Sequence, residues 1–126
     1  MLMERIYRES TTSLPLIDFI PEGNLKIEGR SILEDAESFF NPLMDFVKSL
    51  EVSDVVFDIN LEYFNTSTSK KLLDLFKHLE SNNNVKNILI NWYFEEGDDD
   101  SLETAEIYED CLLRVDFRYH EYAEVA

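Results

Sequence analysis

The sequence predicts a single α/β domain around a mixed β-sheet, an antiparallel hairpin first and a parallel βαβαβ run after it. Three observations point there. The second half alternates short apolar, β-branched runs with stretches of helical periodicity, which implies parallel strands joined by helices. A Pro-Gly turn near the start separates two strand-like runs. The 126 residues, 44% hydrophobic and 13% aromatic, supply one core and show no repeat or linker that would divide it. One domain is expected over residues 1–126.

The elements follow in order. "LPLIDFI" and "NLKIEGR" flank "PEG", a hairpin in whose second arm Leu25 and Ile27 alternate with Lys26 and Glu28. A short edge strand is expected before it, from Glu4 to Tyr7. In "SILEDAESFFNPLMDFVKSLE" (31–51), Ser31 followed by Glu34 predicts a capping box. Ala36, Phe39, Phe40, Leu43, Val47 and Leu50 form one apolar helical face, and Pro42 predicts a kink. "VVFDINLEYF" (55–64) and "NILINWYF" (87–94) are predicted as largely buried strands. Between them, Leu72, Leu73, Phe76 and Leu79 mark an amphipathic helix ending at "SNNN". Leu102, Ala105, Ile107, Tyr108 and Leu112 mark another helix, and "VDFRY" (115–119) a last strand. Right-handed crossovers between these strands give a sheet of four to six strands.

Charge narrows the function. With 27 acids against 11 bases, the formal charge is −16. Such a surface repels phosphate backbones and anionic headgroups, which argues against nucleic acid and membrane partners. A partner with a basic patch, or a metal, fits better. The single cysteine, Cys111, allows no internal disulfide and reads as a small apolar residue in a reducing compartment. The start "MLMERIYRES" lacks the apolar stretch of a secretory leader, and no run approaches a membrane span. A cytoplasmic protein is expected.

Catalytic signals are sparse. His78 and His120 have no recognisable nucleophile beside them, and three glycines are too few for a phosphate-cradling loop. No enzyme and no cofactor are expected. The stretch "EEGDDDSLE" (95–103) offers Asp98, Asp99, Asp100 and Glu103 as ligands for a hard cation, the alternative reading of a metal-dependent or small-ligand-binding domain. It lacks the alternating ligand spacing of a calcium loop. Acids before a helix are accounted for by capping and by the positive end of its dipole.

The most distinctive stretch is "LEYFNTSTSKKLLDLF" (61–76). Asn65, Thr66, Ser67, Thr68 and Ser69 stand between strand and helix where one capping residue would suffice. Lys70 and Lys71 follow in the first turn, where cations oppose the helix dipole but would suit an anion such as a phosphate. The junction also lies at the carboxyl end of a parallel strand, the edge where α/β sheets present their sites. A docking edge comprising Tyr63 and residues Asn65 through Lys70 is expected, with a neighbour such as Ser67 acting as the cap.

"MERIYRESTTSLPLIDF", "LKIEGRSILEDAESFFNPLMDFV", "LEYFNTSTSKKLLDL" and "INWYFEEGDDD" together resemble SiaC-type bacterial regulatory phosphoproteins, over nearly the whole chain. The resemblance implies a fold similar to the anti-anti-sigma (STAS-like) domains. It implies phosphorylation of the Thr that follows Asn in the junction, here Thr66, with Ser67 and Thr68 as the other acceptors to consider. It further implies a partner kinase, a PP2C-type phosphatase, and a diguanylate cyclase that the unmodified form binds and activates, feeding cyclic-di-GMP signalling and biofilm formation. The sequence departs from the pattern at Ile32-Leu33, where an aromatic-proline pair is expected.

Overall fold

The computed structural model describes residues 3–123; the first two residues of the start "MLMERIYRES", which carries no expected leader, lie outside them. Six strands and three helices alternate along it: β1 (Ile6–Arg8), β2 (Leu16–Phe19), β3 (Asn24–Ser31), α1 (Ala36–Lys48), β4 (Asp54–Phe64), α2 (Thr66–Ser81), β5 (Asn87–Glu95), α3 (Asp99–Cys111) and β6 (Val115–Tyr122). The strands lie in sequence order across one sheet. β1, β2 and β3 pair antiparallel, and β3, β4, β5 and β6 pair parallel. The predicted hairpin, parallel run and edge strand are all present.

That strand order fixes the layers. Each parallel crossover advances one strand in the same direction, so right-handed connections put α1, α2 and α3 on a single face. Val55, Phe57, Ile59 and Leu61 of β4 are buried against them, as are Ile88, Ile90, Trp92 and Phe94 of β5. Phe57 sits at the centre, edge-on to Phe19 at 5.5 Å and to Phe76 at 5.6 Å. Large aromatics in such T-shaped contacts bury much area and add pairwise attraction.

Among the described residues the other face carries no helix, which corrects the expectation of largely buried strands: β4 and β5 are buried on one side only. A polar row crosses the open side in register, from Asp18 through Lys26, Asp58 and Asn91 to Arg118. Asn91 Nδ2 donates to Asp58 Oδ1 at 2.9 Å. His120 joins Asn91 Oδ1 at 2.9 Å and stacks on Tyr93, with ring centroids 4.6 Å apart. The final-strand histidine is thus part of a cross-strand polar network, and His78 is half-buried on α2.

Local expectations fail at three residues, Ser31, Ile107 and Cys111. Ser31 ends β3 and does not cap α1; the cap is Asp35, whose carboxylate accepts from Ser38 N at 3.1 Å. The strand continues further than the pattern indicated because Ser31 pairs with Phe64. α1 runs from Ala36 to Lys48 with Pro42 inside it, as the apolar spacing predicted. Ile107 points away from the core, 61% exposed, while Ala105 and Tyr108 face it. Cys111 is exposed, at the last position of α3. Gly23 in the hairpin turn is required: its φ is +109°, and a Cβ there would meet the Asp54 carbonyl oxygen at 2.4 Å.

Candidate functional site

The β4–α2 junction is built around Asn65. Its backbone is extended (φ −85°, ψ 174°), and its side-chain oxygen caps α2 by accepting from Thr68 N at 3.1 Å. Asparagine is among the best residues for this, since it satisfies one of the amides the first turn leaves free. The cap is therefore Asn65 and not Ser67. The same oxygen also accepts the hydroxyls of Thr68 at 2.8 Å and Ser67 at 3.2 Å.

From Asn65 the network runs into the end of β3. Asn65 Nδ2 donates to the Leu33 carbonyl at 3.0 Å, and Asn65 N donates to the Ser31 carbonyl at 3.1 Å. Thr68 Oγ1 lies 2.8 Å from Ser31 Oγ, and both residues are fully buried. Since Thr68 gives its one proton to Asn65, Ser31 is the donor to Thr68. The segment 31–33 and the first turn of α2 are thereby locked together.

The four hydroxyls of the junction have different fates. Thr68 is sealed inside this lock. Ser69 is half-buried, its Oγ 2.8 Å from the Tyr108 hydroxyl, which donates to the Ser69 carbonyl at 2.7 Å. Ser67 is exposed but turned back on Asn65 and the Leu33 carbonyl. Thr66 is exposed at the first position of α2, and none of the junction's hydrogen bonds among the described residues uses its hydroxyl. Tyr63 is 51% exposed with Arg30 over its ring at 5.7 Å, and Lys70 is exposed. The predicted docking residues thus share one edge, apart from Thr68, which lies beneath it.

The acidic stretch emerges beside this edge because β4 and β5 are parallel neighbours. An open cleft is lined by Glu62, Tyr63 and Phe64 from the end of β4, by Asp98 just before α3, and by Asp100, Ser101 and Thr104 within it. Asp98 caps α3 by accepting from Ser101 N at 3.1 Å, with Asp99 and Asp100 in the first turn. Among the described residues, no group of three His, Cys, Asp or Glu side chains is placed to hold a metal ion, so Asp98, Asp99, Asp100 and Glu103 do not converge as ligands.

Beneath the edge lies an aromatic cluster that links α2 to α3. Tyr108 meets Phe76 and Trp92 edge-on at 5.6 and 5.8 Å, and Trp92 meets Phe64 at 6.0 Å. Trp92 Nε1 donates to Ser101 Oγ at 3.0 Å. Burial pushes the Tyr108 hydroxyl up to about 12, against the opposing pull of its bond to Ser69. Sequence pattern placed Tyr108 on a core face but gave no sign that it reaches the junction. Ser31, which reads locally as a helix cap, likewise gives no sign of its buried contact with Thr68. The signal for both lies in the tertiary fold alone.

No helix among the described residues is long and apolar enough to cross a membrane. Comparison with solved structures gives three matches of the same kind. A chain of the crystal structure of the diguanylate cyclase SiaD in complex with its activator SiaC, from Pseudomonas aeruginosa, superposes with a TM-score of 0.78 at 25% identity, covering 91% of this chain and 99% of that one. SiaC of Pseudomonas aeruginosa superposes with a TM-score of 0.73 at 24% identity, covering 94% and 100%. Its apo form gives 0.70 at 25% identity, covering 92% and 99%. A search of curated proteins finds no match. The family model of SiaC family regulatory phosphoproteins matches residues 8–122, nearly the whole described chain, and the protein belongs to that family.

Proposed function

We propose that this chain is a non-enzymatic, cytoplasmic phospho-switch with Thr66 as the acceptor. A protein kinase loads Thr66 and a PP2C-type phosphatase clears it. The unmodified junction, Tyr63 with Asn65, Thr66, Ser67, Ser69 and Lys70, binds a diguanylate cyclase, by extension from the relative solved with SiaD. The observation that carries the reading is the isolation of Thr66. It is the junction hydroxyl that stands exposed and uncommitted at the start of a helix, while Thr68 is sealed and Ser69 is tied to Tyr108.

A phosphate on Thr66 would meet the free amides and positive dipole end of α2. Lys70, four residues on, lies on the same helix face. The first turn contains no acid to oppose it. The phosphate adds nearly two charges and three acceptor oxygens. Beside Glu62, Asp98 and Asp100 of the adjoining cleft, it makes a packed interface costly to desolvate. A coupling of about 1–3 kcal/mol shifts binding roughly 5- to 150-fold.

Intact-mass measurement of the protein from its native host is expected to show a phosphate-sized addition that Thr66→Ala abolishes and Ser67→Ala leaves in place. Thr66→Glu should weaken capture of the host's diguanylate cyclase while Thr66→Ala preserves it. An unmodified mass in the presence of the kinase, or equal cyclase capture by both variants, overturns the reading.

A further inference from the structure

The loop between β1 and β2, the end of β3 and the first turn of α1 enclose an open groove of about 640 Å³ on the far side of the junction from the acidic cleft. Leu14, Ile32 and Phe39 supply its apolar lining, and Glu34 and Asp35 its charge. Leu14 and Ile32 are 38% and 40% exposed. They are held there by the backbone: Leu14 N donates to Thr11 Oγ1 at 2.9 Å, and Ile32 N donates to the Ser13 carbonyl at 2.8 Å. At one end Arg8 stands over the Phe39 ring at 5.6 Å.

Apolar side chains fixed in a structured groove, in a chain that has sealed its core elsewhere, mark an interaction surface. Both charged lining residues are acids, on a protein of net charge −16. The field over this groove therefore attracts cations. A second copy of this chain, or a bilayer of anionic lipids, would be repelled by it.

We propose that this groove receives an apolar side chain from a basic segment of a partner protein, whose Lys or Arg residues meet Glu34 and Asp35 at the rim. The assignment rests on reading the chain as a docking module. It also joins the groove to a residue beside Thr66: the Leu33 carbonyl in its wall accepts Asn65 Nδ2 at 3.0 Å.

The test is a photo-crosslinking amino acid placed at Leu14 or Ile32 of the full chain in its native host, with Leu113, 95% exposed after α3, as the remote control. Mass spectrometry then reads the captured peptide. Both groove positions are expected to capture one segment of one protein, an apolar residue flanked by Lys or Arg, which Leu113 does not capture. Ile32→Glu should weaken that purified pair roughly ten-fold or more, as loss of an anchor contact does. Ile107→Glu makes the same charge change on α3 and should alter binding less than about two-fold. No capture from the groove overturns the proposal. So does capture of a second copy, a lipid or a neutral or acidic segment, or equal weakening by the two variants. Capture of a basic segment from a protein other than a diguanylate cyclase leaves the groove assigned and removes the cyclase. Cyclase captured only through another surface does the reverse.

Discussion

Ser31 Oγ lies 2.8 Å from Thr68 Oγ1, two fully buried hydroxyls from residues 37 positions apart. The contact joins the last residue of β3 to the first turn of α2, and with Asn65 it makes the frame on which Thr66 is mounted. Removing one partner strands the other without water, which costs about 1–3 kcal/mol, whereas removing both is nearly neutral. Thr68→Val should lower stability in urea by about 1–3 kcal/mol, because it preserves shape and deletes only the hydroxyl. Adding Ser31→Ala should recover part of that loss. Additive losses in the double variant would show that the two hydroxyls are not a coupled pair.

Asn65 uses both ends of its amide, accepting from Thr68 and donating to the Leu33 carbonyl. Aspartate caps a helix as well as asparagine, and its charge gains about 0.3–1 kcal/mol from the dipole. It has no proton to donate, however, so its second oxygen would face the Leu33 carbonyl oxygen. Asn65→Asp is therefore expected to be less stable than wild type by about 1 kcal/mol, the size of a lost hydrogen bond with its partner stranded. A rise in urea midpoint would mean that capping alone decides this position.

What sequence could show here is set by how far apart the interacting residues lie. The strand-helix order and the junction were legible, because alternation, helical spacing and capping residues are local signals. Ser31 reads locally as a helix cap because Glu34, three residues away, completes a capping pattern, while its true partner is Thr68. Ile107 stands two residues from the buried Ala105 and one from Tyr108, not the three or four that share a helix face, so it turns outward although it belongs to the same apolar stretch. The open face was different. Phe57, Ile59 and Leu61 alternate with Asp58, Asn60 and Glu62, a half-buried pattern that was present but outweighed by β-branched and aromatic content. At the candidate site, sequence brought out the five polar residues. Only burial could separate the sealed Thr68 from the exposed Thr66.

Tyr108 couples the junction to α3 and also titrates. Its hydroxyl is pushed up to about 12 because burial disfavours the phenolate, against about 10 in the unfolded chain. A group whose folded value is raised contributes stability that is complete below the unfolded value and is lost as pH climbs through the folded one. Stability should thus fall between about pH 10 and 12. Tyr119, raised by burial and by its bond to Glu109, and Tyr122, raised mainly by burial, add to the same fall. Tyr108→Phe should cost about 1 kcal/mol at neutral pH, through the lost Ser69 bonds, and make the alkaline fall shallower. An unchanged alkaline slope in that variant would assign the whole effect to the other tyrosines. Trp92, the single tryptophan, stands 5.8 Å from the Tyr108 ring and provides the fluorescence readout.

The charge balance at the head of α2 makes a prediction that needs neither kinase nor partner. Thr66 is the first helical residue, the first turn contains no acid, and Lys70 follows four residues on. A negative charge at residue 66 should gain about 0.3–1 kcal/mol from the dipole. The acid-then-lysine pair four residues apart adds about 0.3–0.5 kcal/mol in its favourable orientation. Thr66→Glu is therefore expected to be more stable than Thr66→Gln by up to about 1.5 kcal/mol at low ionic strength. Salt near 1 M should remove most of the difference, since the charges are exposed and the screening length falls to about 3 Å. Thr66→Lys should shift stability the opposite way by a similar amount. Equal stability of the Glu and Gln variants at low salt would mean that the acids of the neighbouring cleft cancel the dipole. In that case a phosphate on Thr66 would have to be held by the partner rather than by this fold.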